Sequence, residues 1–163
     1  MLKELDIKNA IKILPHKYYR LILIAGPKGR QISGILKKMS SEFGYDYINL
    51  NLKLSERLIR IPFDERCFYV KDYVNEIVES NHGSLLILDN IEILFEKHLK
   101  IDPLFLLKNL SRYRAIIAHW NGKVEDGHLI FAVPQHPDFV KYRIDGHDYI
   151  VIDTAQEKQG NID

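Results

Sequence analysis

Hydrophobic positions along the chain alternate between short continuous runs and longer stretches spaced by three and four. Ile7, Ile11 and Leu14 share one helical face ahead of Pro15 and predict a short leading helix. The period then changes: Arg20-Leu-Ile-Leu-Ile-Ala-Gly26 is an unbroken apolar run stopped by Gly-Pro, the pattern of a strand buried on both faces of a parallel sheet. Ile32, Ile35, Leu36, Met39 and Phe43 return to helical spacing, with Gly44 placed for a left-handed cap. Tyr45 to Leu50 predicts a second strand, and Phe68 to Glu79 a helix with Val70, Tyr73, Val74, Ile77 and Val78 on one stripe.

Ser84-Leu-Leu-Ile-Leu-Asp89 is another buried strand. A helix carrying Leu104, Leu107 and Leu110 starts at Asp102-Pro103, where Asp can cap and Pro suits the first turn. Ala115 to Ala118 and Tyr149 to Ile152 add two short strands. Alternation of short apolar strands with amphipathic helices predicts a doubly wound α/β sheet. Residues 123–148 do not fit that alternation: Asp126-Gly127 before Leu-Ile-Phe-Ala-Val, then Pro134 and His136-Pro137, predict a β-hairpin insert. Its Phe139, Tyr142 and Arg143 suit a protein contact as well as core packing.

Composition narrows the class. A chain of 163 residues with 46% hydrophobic content is enough for one domain, expected over 1–153, followed by a polar stretch at 154–163 expected to fray. Cys67 has no partner for an intrachain disulfide, and the seven histidines, His119, His128 and His136 among them, lack metal-site spacing. Lys+Arg 23 against Asp+Glu 22 leaves a formal charge of +1, which removes the compositional argument for a nucleic-acid binder. No apolar run approaches the length of a membrane span, and the N-terminus lacks the layout of a secretory signal, so a cytoplasmic protein is expected.

Candidate chemistry begins in the loop after the first strand. Gly26-Pro27-Lys28-Gly29-Arg30-Gln31-Ile32-Ser33 lies between a buried strand and an amphipathic helix, the setting of the phosphate-binding loop G-x-x-x-x-G-K-[ST]. Gly26, Gly29 and Ser33 fit, Ser33 standing where a hydroxyl holds Mg²⁺ beside bound ATP. Gln31 replaces the last glycine and Ile32 replaces the phosphate-gripping lysine, so this Walker A motif is degenerate. Lys28 or Arg30 would have to supply a displaced positive charge; the plainer alternative is a solvated turn.

The run ending at Asp89 places a carboxylate at the carboxyl end of a buried strand, the position from which phosphate-loop proteins hold Mg²⁺. Asn90 follows where a water-activating glutamate would be useful, and an amide cannot accept that proton. Glu92 is the substitute base, although Asp89-x-x-Glu92 also has capping-box spacing. Asn121 is placed to sense a γ-phosphate, while Asn121-Gly122 is equally a turn signal. Arg112 and Arg114 are candidates for an arginine finger that reaches a neighbour's phosphate, or for solvated side chains.

Taken together, the runs Leu-Ile-Leu-Ile-Ala-Gly-Pro-Lys-Gly, Leu-Leu-Ile-Leu-Asp-Asn-Ile-Glu-Ile-Leu-Phe, the stretch from Asp102 to Gly122, and Glu125 to Phe139 resemble the BrxF family, the small phosphate-loop proteins of type 3 BREX bacteriophage-defence systems. The resemblance covers roughly 18–153. It implies a three-layer P-loop NTPase-like fold of the ASCE/RecA-like kind, with a mostly parallel sheet and no C-terminal lid. It also implies a prokaryotic cytoplasmic protein working beside a methyltransferase, a phosphatase-like protein and a larger ATPase. Self-association is a further expectation. Three readings follow: a contact protein with weak or lost ATP turnover; a working Mg-ATPase or ATP-dependent switch; and a DNA-contacting module using Lys12, Lys17, Arg20, Lys28, Arg30, Lys37 and Lys38.

Overall fold

The computed structural model describes residues 2–156. Helix α1 (Glu4–Ile13) leads into strand β1 (Leu21–Gly26), helix α2 (Arg30–Phe43), strand β2 (Asp46–Asn49) and helix α3 (Leu50–Leu58). Helix α4 (Val70–Glu79), strand β3 (Leu85–Asp89), helix α5 (Pro103–Leu110) and strand β4 (Ala115–Asn121) follow. Three short strands, β5 (Lys123–Glu125), β6 (His128–Phe131) and β7 (Val140–Arg143), precede β8 (Ile150–Asp153). Short 3₁₀ turns fill 63–68 and 92–99.

Five strands form one parallel sheet in the order β2-β3-β4-β1-β8. Every residue of β1 and β3 is buried, because helices cover both faces. From β1 the chain crosses the sheet to β2, then returns through β3 to β4; with right-handed crossovers, opposite directions of travel put the helices on opposite faces. Thus α1 and α2 pack Ile7, Ala10, Ile32, Leu36 and Met39 on one face. On the other, α3, α4 and α5 bury Leu54, Val74, Leu107 and their neighbours. This is a three-layer α/β fold.

Local signals explain most boundaries. Asp102 accepts from the Phe105 amide at 3.0 Å, capping α5, and Gly44 ends α2 at φ 70°. The insert differs from expectation: β5-β6-β7 is a three-stranded antiparallel sheet rather than a hairpin, because Val140 to Arg143 return to pair with β6. Its apolar side, Leu129 and Phe131, joins the α3–α5 core, where Phe95 stacks on Phe131 and meets Trp120 edge-on. Trp120 donates to the Ile130 carbonyl at 3.0 Å, tying the small sheet to β4. Thr154, the first residue of the polar stretch expected to fray, donates its amide and its hydroxyl to the Ala25 carbonyl, each at 3.0 Å. Residues 157–163 of that stretch lie outside the described residues. Among the described residues, no helix is long and apolar enough to cross a membrane.

Candidate functional site

Connections leaving β1 and β4 pass to opposite faces of the sheet, so the crevice at their carboxyl ends is where an open α/β sheet places a ligand site. The register sets Gly26 beside Asn121 and Leu88 beside Ala118, which brings the loop after β1, the end of β4 and Asp89 together.

The loop is tied down from below. The Lys28 amide donates to Oδ1 of Asn121 at 3.0 Å, so Asn121, the last residue of β4, occupies one loop N–H, and the chain turns around it, the Gly122 amide donating to the Trp120 carbonyl at 2.8 Å. Gly29 sits at φ 156° ahead of α2, a backbone that favours glycine. Arg30 and Gln31 are exposed in the first turn, while Ile32 turns inward and is buried. A Cβ on Gly26 would overlap the Thr154 hydroxyl and lie 2.6 Å from Cδ1 of Ile32. Gly26 is thus packed against Ile32 and Thr154 with no room for a side chain. Pro27 to Ile32 border a recess of about 450 Å³ shared with Leu2, Thr154 and Ala155.

Asp89 is 1% exposed and held from several directions. Tyr47 on β2 donates its hydroxyl to Oδ2 at 2.5 Å, and the Asn90 amide donates to Oδ1 at 2.9 Å. Nδ1 of His119, itself 2% exposed, lies 3.1 Å from Oδ1, while its Nε2 lies 3.1 Å from the Gly26 carbonyl oxygen. Both partners of the imidazole are acceptors, so both contacts are hydrogen bonds when each ring nitrogen carries a proton. His119 thus bridges the loop to Asp89. Burial opposes ionisation of Asp89, but the hydrogen bonds from His119, Ser33, Tyr47 and the Asn90 amide outweigh it and hold the carboxyl well below the usual carboxylate range. Burial, then the hydrogen bond to Asp89 and its charge, push the Tyr47 phenol well above its ordinary range.

The two candidate magnesium ligands, Ser33 and Asp89, are neighbours, but they face each other. Both carboxylate oxygens are engaged by side chains and an amide of the same chain, and no group of three His, Cys, Asp or Glu among the described residues could hold a metal ion. A Mg²⁺ ion held by Ser33 and Asp89 would have to displace one of these partners.

The capping box at Asp89 and Glu92 is not formed: Ile91 precedes the 3₁₀ turn Glu92–Phe95 with no side-chain cap, since Asp89 is used by Tyr47 and His119. Asn90 acts through its main chain, adopting φ 52° so that its amide meets Asp89 while its carbonyl accepts from Asn51 at 2.9 Å. Glu92 opens the next turn, half-buried. Arg112 and Arg114 sit ahead of β4, at the far end of a strand roughly 20 Å long from the loop. Neither is a finger for the chain's own loop: Arg114 donates to the Val78 carbonyl at 3.0 Å, and Arg112 lies over the Tyr19 ring. Of the basic residues, Lys17 and Arg20 donate to Gly146 and Arg112 carbonyls, and Lys38 pairs with Glu4 and Glu42. His119, Tyr47 and Thr154 are the site residues that sequence reasoning missed.

No family model, curated protein or solved structure matches the chain.

Proposed function

We propose that the chain is a component of a BREX-type anti-phage defence system, built on a P-loop NTPase-like α/β domain whose nucleotide site has closed and which acts through contacts with other defence proteins. One observation carries the loss of turnover: the lysine position holds a buried isoleucine, Ile32, beside an Asp89 already bonded to Tyr47 and His119. A carboxylate whose oxygens are already bonded to Tyr47, His119 and the Asn90 amide would have to give up a partner to take a metal ion, and the only cations of the loop, Lys28 and Arg30, stand outside the lysine position of the motif. The assignment to defence rests on the resemblance of the runs around Gly26, Asp89 and Asp102 to Phe139.

The test is co-purification of the tagged chain with the methyltransferase, the phosphatase-like protein and the larger ATPase of its own defence system, with ATP hydrolysis measured on the chain alone and in the complex. Retention of at least one component, with no turnover attributable to this chain, is the expected result. Failure to retain any of them would overturn the contact role. One observation favours the rival reading of a Mg-ATPase: Ser33 and Asp89 do come together at the end of β3. Turnover that disappears in Asp89→Ala would establish that rival.

A further inference from the structure

Four edges bound the two sheets, and the two of the small sheet are guarded by charge. At the outer edges of the small sheet, β5 carries Lys123 and Glu125, and β7 carries Lys141 and Arg143, the charges that discourage strand addition. On β2, Asp46 uses its carboxylate on the Gly83 amide at 2.9 Å and the chain turns directly into α3. The fourth edge, β8, reads Ile-Val-Ile-Asp, with no lysine, arginine or proline. It pairs with β1 alone.

Its free groups can be assigned. The Asp148 carbonyl accepts from Tyr19, and the Thr154 amide donates to Ala25, so even-numbered residues of this stretch turn their main chain toward β1 and its approach. Odd-numbered residues therefore point outward: the N–H and C=O of Val151 and the N–H of Asp153 face away from the sheet. They face a trough of about 480 Å³ with β8 in its floor. One wall is α1, through Ile13, which is 50% exposed; the other is Val124 of β5 and Ile144, just past the end of β7. Lys17 lies at the end of the trough where β8 begins, and Asp153 at the end where it stops.

We propose that this trough takes an extended strand from a partner protein, added to β8 as a sixth strand of the main sheet. Main-chain pairing with Val151 and Asp153 supplies affinity, and the apolar walls select side chains on alternate positions. Charge complementarity asks for an acidic residue of the strand near Lys17 and a basic one near Asp153. A second copy is a poorer occupant: its own β8 is recessed between the same two walls, and two recessed edges cannot reach each other. The trough is argued from the edge itself and does not depend on the state of the loop after β1.

The probe is the tightest binder selected from displayed random peptides against the full chain, synthesised and measured by fluorescence anisotropy. Alternating apolar residues are expected in it, with hydrogen-exchange protection gained at the Val151 and Asp153 amides. Ile13→Glu, at an exposed position that leaves the core untouched, should weaken binding by about tenfold or more, as should N-methylation of alternate peptide amides. Absence of any binder, or a binder indifferent to both changes, would overturn the proposal. So would a dimer of the wild-type chain in sedimentation that Ile13→Glu converts to monomer, since a second copy would then hold the edge. None of these outcomes alters the reading of the nucleotide site, which fails only if nucleotide is bound or turned over.

Discussion

At the carboxyl end of β3 the polar groups around Asp89 find partners inside the chain, whereas along the outer edge of β8 main-chain groups of Val151 and Asp153 face a trough. Both places lie where α/β proteins bind things, a crevice at strand ends in one case and a sheet edge in the other. The difference teaches where to look for function. A buried carboxylate bonded to Tyr47, His119 and an amide has its partners within the chain, while the edge of β8 turns main-chain groups toward a trough with apolar walls.

The contrast can be broken at its strongest point first. Asp89→Ala leaves Nδ1 of buried His119 and the half-buried Tyr47 hydroxyl without their acceptor, and should destabilise the chain by about 2 to 3 kcal/mol in urea unfolding. An Asp89 exposed to solvent and awaiting a cation would cost far less on removal. Gly26→Ala forces a methyl into Thr154 and Ile32 and should cost about 1 to 3 kcal/mol, read as a lowered Tm. Tyr47→Phe removes one donor from the carboxylate and should cost about 1.5 kcal/mol or more.

Acid sharpens the same side of the comparison. The folded pKa of Asp89 lies below its ordinary 3.8, so the unfolded chain binds protons there that the folded chain does not. Stability from this group is fully present above about pH 4 to 5 and is lost as pH falls toward the folded value. Asp89→Asn should flatten that part of the pH–stability curve. A smaller effect of opposite sign is expected at Tyr149, whose hydroxyl is buried without a partner and whose phenol burial pushes up to about 12. Tyr149→Phe should leave stability unchanged or raise it by up to about 1 kcal/mol. On the open side, Ile13→Glu should change stability by less than about 0.5 kcal/mol, since that side chain is half in solvent.

Strands and helices with a clean period were readable from residues alone: β1 and β3 as unbroken apolar runs, α2 and α4 from their stripes. Helix α3 was not, because Leu50, Leu52 and Leu54 alternate like a continued strand. The helical spacing Leu50, Leu54, Leu58 wins since it buries all three, with Asn49 capping at Leu52, while Leu52 is left 53% exposed. The third strand of the insert was hidden by its charges, Lys141 and Arg143 masking a short edge strand. At the site, Gly26, Ser33 and Asp89 could be found by spacing, since each belongs to one continuous motif. His119 and Tyr47 could not, since they meet Asp89 through strand pairing across β4 and β2, which depends on register. A signal for His119 did exist: it is the polar residue at the end of a buried strand next to the one that ends in Asp89.

The central claim is that the crevice is closed by the chain's own side chains. Calorimetric titration with ATP and Mg²⁺ tests it directly, run on wild type and on the repaired loop Gln31→Gly with Ile32→Lys. The account predicts no binding heat for wild type and restored binding for the repaired loop. Saturable, Mg²⁺-dependent binding by wild type would contradict it and return the site to nucleotide.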